Sequence, residues 1–480
     1  MRGLTSTTLA TAFVACAAVA CATNPVPSTA PATTSASSND AAFMARARAL
    51  HERLLTIDTH VDIDPENFQV GTLNYAQRLN TQVDLTKMEQ GGLDAIFFSI
   101  YVGQGPLDAA GYEAAWTVDT AKMNAIHRLA EQIAPSRIAI AYTADDVRRI
   151  AASGKKVALM GVENGYGIGT DITRVKELYD RGGRYLSLAH NGNNQLADSN
   201  TGEAANDWMW GNGVSPLGKQ VIAEMNRLGM MVDISHPSRG AIMQIFALTK
   251  APVIASHSGV RALCDNPRNL DDDELRALAK NGGVAQMVAY WGFVRCDAAY
   301  DSDRARAFAA LNQGYGINSA RRGGGAGAAP RGPTAGVPGN SCGAPRVVPR
   351  SGISPAVEEQ LAAMPASRAN EYREKLKALE SRYPASPQAT VKDYVDHIDY
   401  AVKLMGLDHV GISSDFDGGG GLADYNCALE SVNVTAELLR RGYTEEQIGK
   451  IWSGNVLRVM SEVERVGKQL RASALPLQGH

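Results

Sequence analysis

Short apolar runs recur along this chain with helical patterns between most of them. That alternation restricts the fold more than any other feature. Eight runs read as strands, at about 54–60, 94–101, 157–163, 185–190, 230–236, 252–257, 284–291 and 409–415. Continuous apolar runs of this length suit strands buried on both faces of a parallel sheet. Between the fourth and fifth, PLGKQVIAEMNRLG sets Val221, Ile222, Met225 and Leu228 on one helical face, with Gly229 as a stop. Strands alternating with helices imply an α/β fold, and eight such units suggest closure into a (β/α)8 barrel.

The ends of the runs carry the chemistry. His60 and Asp62 close LLTIDTHVD, Glu163 closes KVALMGVE, His236 closes MMVDISH and His257 closes APVIASH. A barrel of this kind places its active site just past the carboxyl ends of its strands. His60 and Asp62 are two apart, so both side chains can leave the strand on the same side. A carboxylate ending a buried run must be paired or metal-bound. For Glu163 the alternatives are a salt bridge to Arg or Lys, or a role as the shared ligand of two cations. His236 and His257 are flanked by Ser235, Ser256 and Ser258, which can orient imidazole ligands. Each residue alone has an ordinary structural reading. Together they could hold two divalent metals and point to metal-assisted hydrolysis.

Three more residues fit around that centre. His190 ends YLSLAH and could polarise a substrate carbonyl or stabilise an oxyanion. Arg268, in CDNPRNL, could hold a substrate carboxylate through its fork, or could instead cap or bridge Asp271–Asp273. Asp415 ends HVGISSDFDG and could carry protons between attacking water and leaving amine. Asp417 is the rival carboxylate, and Asp415 is preferred because it lies nearer the strand end.

The 480 residues include 47 basic and 50 acidic ones, and no basic run, which argues against a nucleic-acid partner. Residues 1–22 have the basic start, apolar stretch and small residues of an export signal. Ala18-Val19-Ala20-Cys21 resembles a bacterial lipobox, which would leave a lipid anchor on Cys21; cleavage at a small-x-small site is the competing outcome. Residues 23–41, rich in Ser, Thr, Ala and Pro, read as a disordered tether. The barrel domain is expected over 42–470, with 471–480 as a tail. The expected location is the bacterial periplasm or cell envelope. From about 301 to 390 the strand–helix rhythm stops. Residues 323–352 are Gly- and Pro-rich and read as irregular, while 355–382 read as helical, with Val357, Leu361, Met364, Tyr372, Leu376 and Leu379 as apolar members. This insertion before the last strand is either a lid or a surface decoration. Cys264, Cys296, Cys342 and Cys427 allow three pairings, among which spacing does not choose.

The residues at these strand ends, with IDTHVD, QVDLTKMEQGGLDAIFFSIYV, GVENGYGIG, SLAHNGNNQLADS, LGKQVIAEMNRLGMMVDISHPS, APVIASHS, NPRNL, HVGISSDFDG and IWSGNVLRVM in that order, resemble the membrane (renal) dipeptidase family. The likeness covers about 50–300 and 390–462. It implies a distorted (β/α)8 TIM barrel of the metal-dependent hydrolase type with two Zn2+ ions. His60 and Asp62 would bind one zinc, His236 and His257 the other, and Glu163 would bridge them. The resemblance also gives His190, Arg268 and Asp415 substrate-binding and proton-transfer roles, pairs Cys264 with Cys296, and implies a homodimer. Joining Cys342 to Cys427 is a guess beyond it. The long 301–390 segment departs from the family pattern.

The expected activity is hydrolysis of dipeptides, including those with a C-terminal D-residue, by a water whose pKa the two metals lower toward about 7. One alternative keeps the metals and changes the substrate to an N-acyl amino acid, lactam or other cyclic amide. Another is a non-catalytic anchored binding protein on the same barrel.

Overall fold

The computed structural model describes residues 38–296, 298–317, 342, 355–384 and 388–473. Residues 1–37, with Cys21 and the leader, lie outside these, as do most of 323–352 and the tail beyond 473. Among the described residues there are nine strands: β1 (Ile57–Asp62), β2 (Ala95–Tyr101), β3 (Ile138–Ile140), β4 (Lys156–Glu163), β5 (Gly183–Ser187), β6 (Met231–Asp233), β7 (Ile254–Ser258), β8 (Val284–Val288) and β9 (Val410–Ser413). Eight form one parallel sheet in the order β1-β2-β4-β5-β6-β7-β8-β9. A parallel bridge between Val61 and Phe416 joins the last to the first, with Asp62 N–H donating to Phe416 O at 2.9 Å. The chain therefore folds as the eight-stranded parallel barrel that the alternation implied.

The ninth strand, β3, was not foreseen. It pairs with Lys156–Ala158 at the start of β4, below the point where β5 joins that edge at Met160. Three residues are too few to show a period. Four of the expected strands also stop early: β5 ends at Ser187, β6 at Asp233, β8 at Val288 and β9 at Ser413. The chain beyond them leaves the ladder and carries His190 and His236 into the site.

Alternate residues of the strands divide between two cores, as a period of two requires. Ile57, Ala95, Phe97, Val157, Leu159, Tyr185, Met231, Ile254 and Val284 join one cluster. It is closed by Val456, Leu457, Val459, Met460 and Val463 of the helix Asn455–Ser473. The intervening residues, such as Ile96, Phe98, Ala158, Met160, Val162, Leu186 and Val232, join the larger core shared with the surrounding helices. Along β4 the first set runs Val157, Leu159, Gly161, Glu163. The inward face thus changes from apolar floor to ligand at the carboxyl end. The helix expected from PLGKQVIAEMNRLG spans Pro216–Leu228, capped by Ser215 and followed by Gly229.

A helix starts at Ser38, inside the stretch read as tether, where Ala41–Ala45 and the following arginines favour it. In the insertion, helices span Ala298–Tyr315, Pro355–Ala362 and Ala366–Arg382. The first was not expected, although its Ala-rich sequence has high helix propensity. Val357, Leu361, Tyr372 and Leu376 are buried in a satellite core with Ile317 and Ala369, and Met364 packs at its side. Cys264–Cys296 is a disulfide, joining the loop after β7 to the segment after β8. Cys342 and Cys427 form the second bond. No helix of the described residues is long and apolar enough to cross a membrane.

Gly161 shows how tightly the floor is built. A methyl group there would lie 1.8 Å from Tyr185 Cζ and 2.3 Å from its hydroxyl oxygen. Gly161→Ala is expected to cost about 1–3 kcal/mol through overpacking. Urea unfolding checks this, and an unchanged midpoint would show that the Tyr185 ring has room to move.

Candidate active site

Glu163 is the centre around which the candidate ligands gather. It ends β4, is 3% exposed, and its two oxygens face different histidines. Oε2 lies 3.3 Å from His60 Nε2 and accepts from Ser99 Oγ at 3.2 Å. Oε1 lies 2.9 Å from His236 Nε2, 3.3 Å from His257 Nε2 and 3.6 Å from His190 Nε2. Asp62 Oδ2 is 3.5 Å from His60 Nε2, so the two residues of HVD do share a side. No lysine or arginine forms an ion pair with Glu163 among the described residues, which removes the salt-bridge reading. Burial pushes its carboxyl up, but the imidazoles, led by His60 and His190, hold it well below the usual carboxylate range.

The histidines are oriented from behind. His60 Nδ1 is 2.9 Å from the Tyr185 hydroxyl. His257 Nδ1 is 2.8 Å from Ser256 Oγ, which donates to Asp233 Oδ2 at 2.7 Å. These bonds leave Nε2 of both rings for the centre, the arrangement expected of metal-binding imidazoles. Burial holds His236 and His257 well below the ordinary histidine value, so both are neutral and keep a lone pair. His236 Nε2 and His257 Nε2 are 3.0 Å apart and converge on the same Glu163 oxygen. His60 Nε2 and His236 Nδ1 are buried without a hydrogen-bond partner. Among the described residues, ligand atoms close enough to share an ion occur in three sets: His60, Asp62 and Glu163; Glu163, His190 and His236; and His60, His257 and Asp415. The donor chemistry, imidazole nitrogen with carboxylate oxygen, suits a divalent transition metal.

Two residues of the site have positive φ, His236 at 80° and Asp415 at 57°. Backbone of this kind is uncommon outside glycine and clusters at functional sites. Asp415 N–H donates to His60 O at 3.1 Å, which ties the β9 loop to β1. Gly418 makes room for the carboxylates: a methyl there would lie 2.2 Å from Asp62 Oδ2 and 2.5 Å from Asp415 Oδ1. Asp417 also borders the cavity, but its carboxylate is taken by the backbone N–H groups of Gln82 and Val83 at 2.9 and 3.2 Å. Asp415 accepts no side-chain hydrogen bond among the described residues. Burial raises its carboxyl well above the ordinary range; Asp62 and Glu163 add to this, while His60 and Arg268 oppose it.

A cavity of about 1060 Å3 opens over this centre, lined among others by Asp62, Glu163, His190, His236, His257, Arg268 and Asp415. None of the described insertion residues lines it. Arg268 is buried; Nη1 donates to Ser258 Oγ at 3.0 Å and Nη2 to His257 O at 2.8 Å. Its Nε has no partner. The alternative of a bridge to Asp271–Asp273 is not formed, because Arg239 takes Asp271 at 2.5 Å and Asp273 at 3.4 Å. The Cys264–Cys296 bond anchors the loop that carries Arg268. Burial lowers the Arg268 guanidinium to about 10, so it remains charged at neutral pH. The candidate metal ligands His60, Asp62, Glu163, His236 and His257, with His190, Arg268 and Asp415, therefore lie at one end of the barrel. The supporting Tyr185, Ser99 and Asp233 were missed: each reads as an ordinary member of a buried run. An acid or hydroxyl on the inward parity of a strand was the available signal.

The model of the membrane dipeptidase family (peptidase family M19) matches residues 44–474. This chain belongs to that family. Dipeptidase tcpJ of Claviceps purpurea is 29% identical over 392 residues, covering 80% of this chain and 70% of that protein. Dipeptidase aclJ of Aspergillus oryzae is 28% identical over 406 residues, covering 83% and 73%. The crystal structure of the probable dipeptidase PvdM from Pseudomonas aeruginosa matches with a TM-score of 0.68 at 30% identity, covering 89% of this chain and 99% of that one. A metallo peptidase from Rhodobacter sphaeroides, liganded with a phosphinate mimic of L-Ala-D-Ala, shares the fold at 20% identity and a TM-score of 0.58, covering 85% of this chain and 99% of that one. As a member of the membrane dipeptidase family, this protein is a hydrolase, a metallo-dipeptidase.

The cluster around Glu163 predicts that divalent metal stabilises the folded chain. At a free concentration a hundredfold above Kd the gain is about 2.7 kcal/mol. Thermal unfolding of chelator-treated protein, with and without added Zn2+, checks this. A midpoint indifferent to metal would contradict it.

Proposed function

We propose that this dipeptidase uses two zinc ions, one held by His60 and Asp62, the other by His236 and His257, with Glu163 shared between them. The observation that carries the reading is the division of Glu163, Oε2 toward His60 and Oε1 toward His236 and His257. Such metals would supply Lewis acidity, activating water and polarising the amide carbonyl.

The remaining steps belong to the chain's own groups. Arg268, charged and buried at the cavity wall, fixes the substrate's C-terminal carboxylate, which favours dipeptides over longer chains. Burial lowers His190, so its imidazole is neutral and donates one N–H to the carbonyl oxygen as negative charge develops there. Asp415 accepts the proton of the attacking water and delivers it to the nitrogen of the breaking C–N bond. Its backbone tie to His60 and the space left by Gly418 keep its carboxylate beside that of Asp62. Tolerance of a C-terminal D-residue is part of the proposal. It rests on the family resemblance and parallels the D-Ala mimic carried by the Rhodobacter fold neighbour.

A dipeptide panel with L- and D-residues at each position, run on metal-quantified protein, tests this reading. Dipeptides are cleaved, chelation removes the activity and Zn2+ restores it. Asp415→Asn lowers kcat by about 10²–10⁴-fold. Full turnover after chelation would overturn the metal role. Cleavage of N-acyl amino acids or lactams with negligible dipeptide hydrolysis would select the amidase alternative.

A further inference from the structure

A lysine in the wall of the cavity has no part in the chemistry above. Lys122 lies on the helix Ala109–Arg128, which follows β2, and lines the same cavity as Glu163 and Arg268. It is only 7% exposed. Its Nζ stands 5.3 Å from the centre of the Tyr101 ring, and that ring is 4.6 Å from the ring of His190. Among the described residues its ammonium makes no hydrogen bond and no ion pair. Asp119, three residues earlier, is within electrostatic reach of Lys122 but forms no ion pair with it among the described residues. That carboxyl is buried, burial raises it well above the ordinary range, and its Oδ1 has no partner. A buried ammonium with three unspent donors is costly unless a ligand or water meets it.

Its position relative to Arg268 gives this charge a direction. Arg268 follows β7, and β7 stands four strands from β2 in a closed barrel of eight. The two cations therefore face the metal-ligand cluster from opposite sides. With the substrate's C-terminal carboxylate on Arg268 and the scissile carbonyl at His190, the residue N-terminal to the bond extends toward Tyr101 and Lys122.

We propose that Lys122 receives a second carboxylate, on the side chain of the residue N-terminal to the scissile bond, so that this enzyme prefers dipeptides beginning with Glu or Asp. The proposal rests on the dipeptidase reading and on the placement of Arg268 within it. The simpler role for Lys122, covering the face of the Tyr101 ring, predicts no such preference.

The test compares kcat/KM for Glu-Ala and Gln-Ala, substrates of nearly equal shape that differ in one charge. Wild type favours Glu-Ala by about tenfold or more, the usual worth of a hydrogen bond to a charged group. Lys122→Met keeps the apolar stem and brings the ratio close to one, mainly through KM for Glu-Ala. Lys122→Arg retains the preference. A general loss of fold lowers both substrates together and leaves the ratio unchanged. A wild-type ratio near one, or a ratio that survives in Lys122→Met, overturns the assignment of Lys122 while Gln-Ala cleavage upholds the parent reading. Hydrolysis of neither dipeptide overturns both.

Discussion

A carboxylate removed from water needs cations or protons around it, and in this barrel Glu163 meets that need with four imidazoles and the Ser99 hydroxyl. His60, His236, His257 and His190 all present Nε2 to it, and no lysine or arginine stands within ion-pair distance among the described residues. Burial keeps His190, His236 and His257 neutral, and neutral imidazoles beside a carboxylate make a poor salt bridge and a good ligand set. The supporting contacts follow from that need. Tyr185 holds His60 from below, the Asp233–Ser256 relay holds His257, and Arg268 is fixed against the backbone carbonyl of His257.

The barrel makes this possible by changing the character of its inward face along each strand. Phe97, Leu159, Tyr185 and Met231 fill the floor against the C-terminal helix. Ser99, Gly161 and Glu163 follow on the same parity, so apolar packing sets the height at which the polar groups begin. Where the chain must turn sharply into the cavity, at His236 and Asp415, it adopts positive φ. Such conformations cost roughly 1–3 kcal/mol each and persist only where the surroundings fix them. The bonds from Asp415 N to His60 O and from Asn200 N to His236 O, at 3.1 and 2.9 Å, are part of that fixing.

Much of this was legible in the sequence because buried parallel strands are written as apolar runs. The runs before Glu163, His236 and His257 were visible for that reason, and so was the helix at Pro216–Leu228. Legibility failed where the signal was short or doubled. β3 has three residues, and Tyr185 looks like one more apolar strand member although its hydroxyl serves His60. β5 and β6 end before their apolar runs do, because YLSLAH and MMVDISH stay apolar after the ladder hydrogen bonds stop. Arg268 had two equal readings, and only the three-dimensional pairing of Arg239 with Asp271 frees it for the cavity. Lys122 carried no signal, since an isolated lysine on an amphipathic helix ordinarily faces solvent. The Cys264–Cys296 pair came from resemblance, because spacing does not choose among pairings.

The central claim is that Glu163 is shared between two metals. Anomalous diffraction from crystals of the zinc-loaded protein tests it most directly. Two peaks are expected flanking the Glu163 carboxylate, one beside His60 and Asp62 and one beside His236 and His257. A single peak, or two peaks with Glu163 bound to neither, would contradict it.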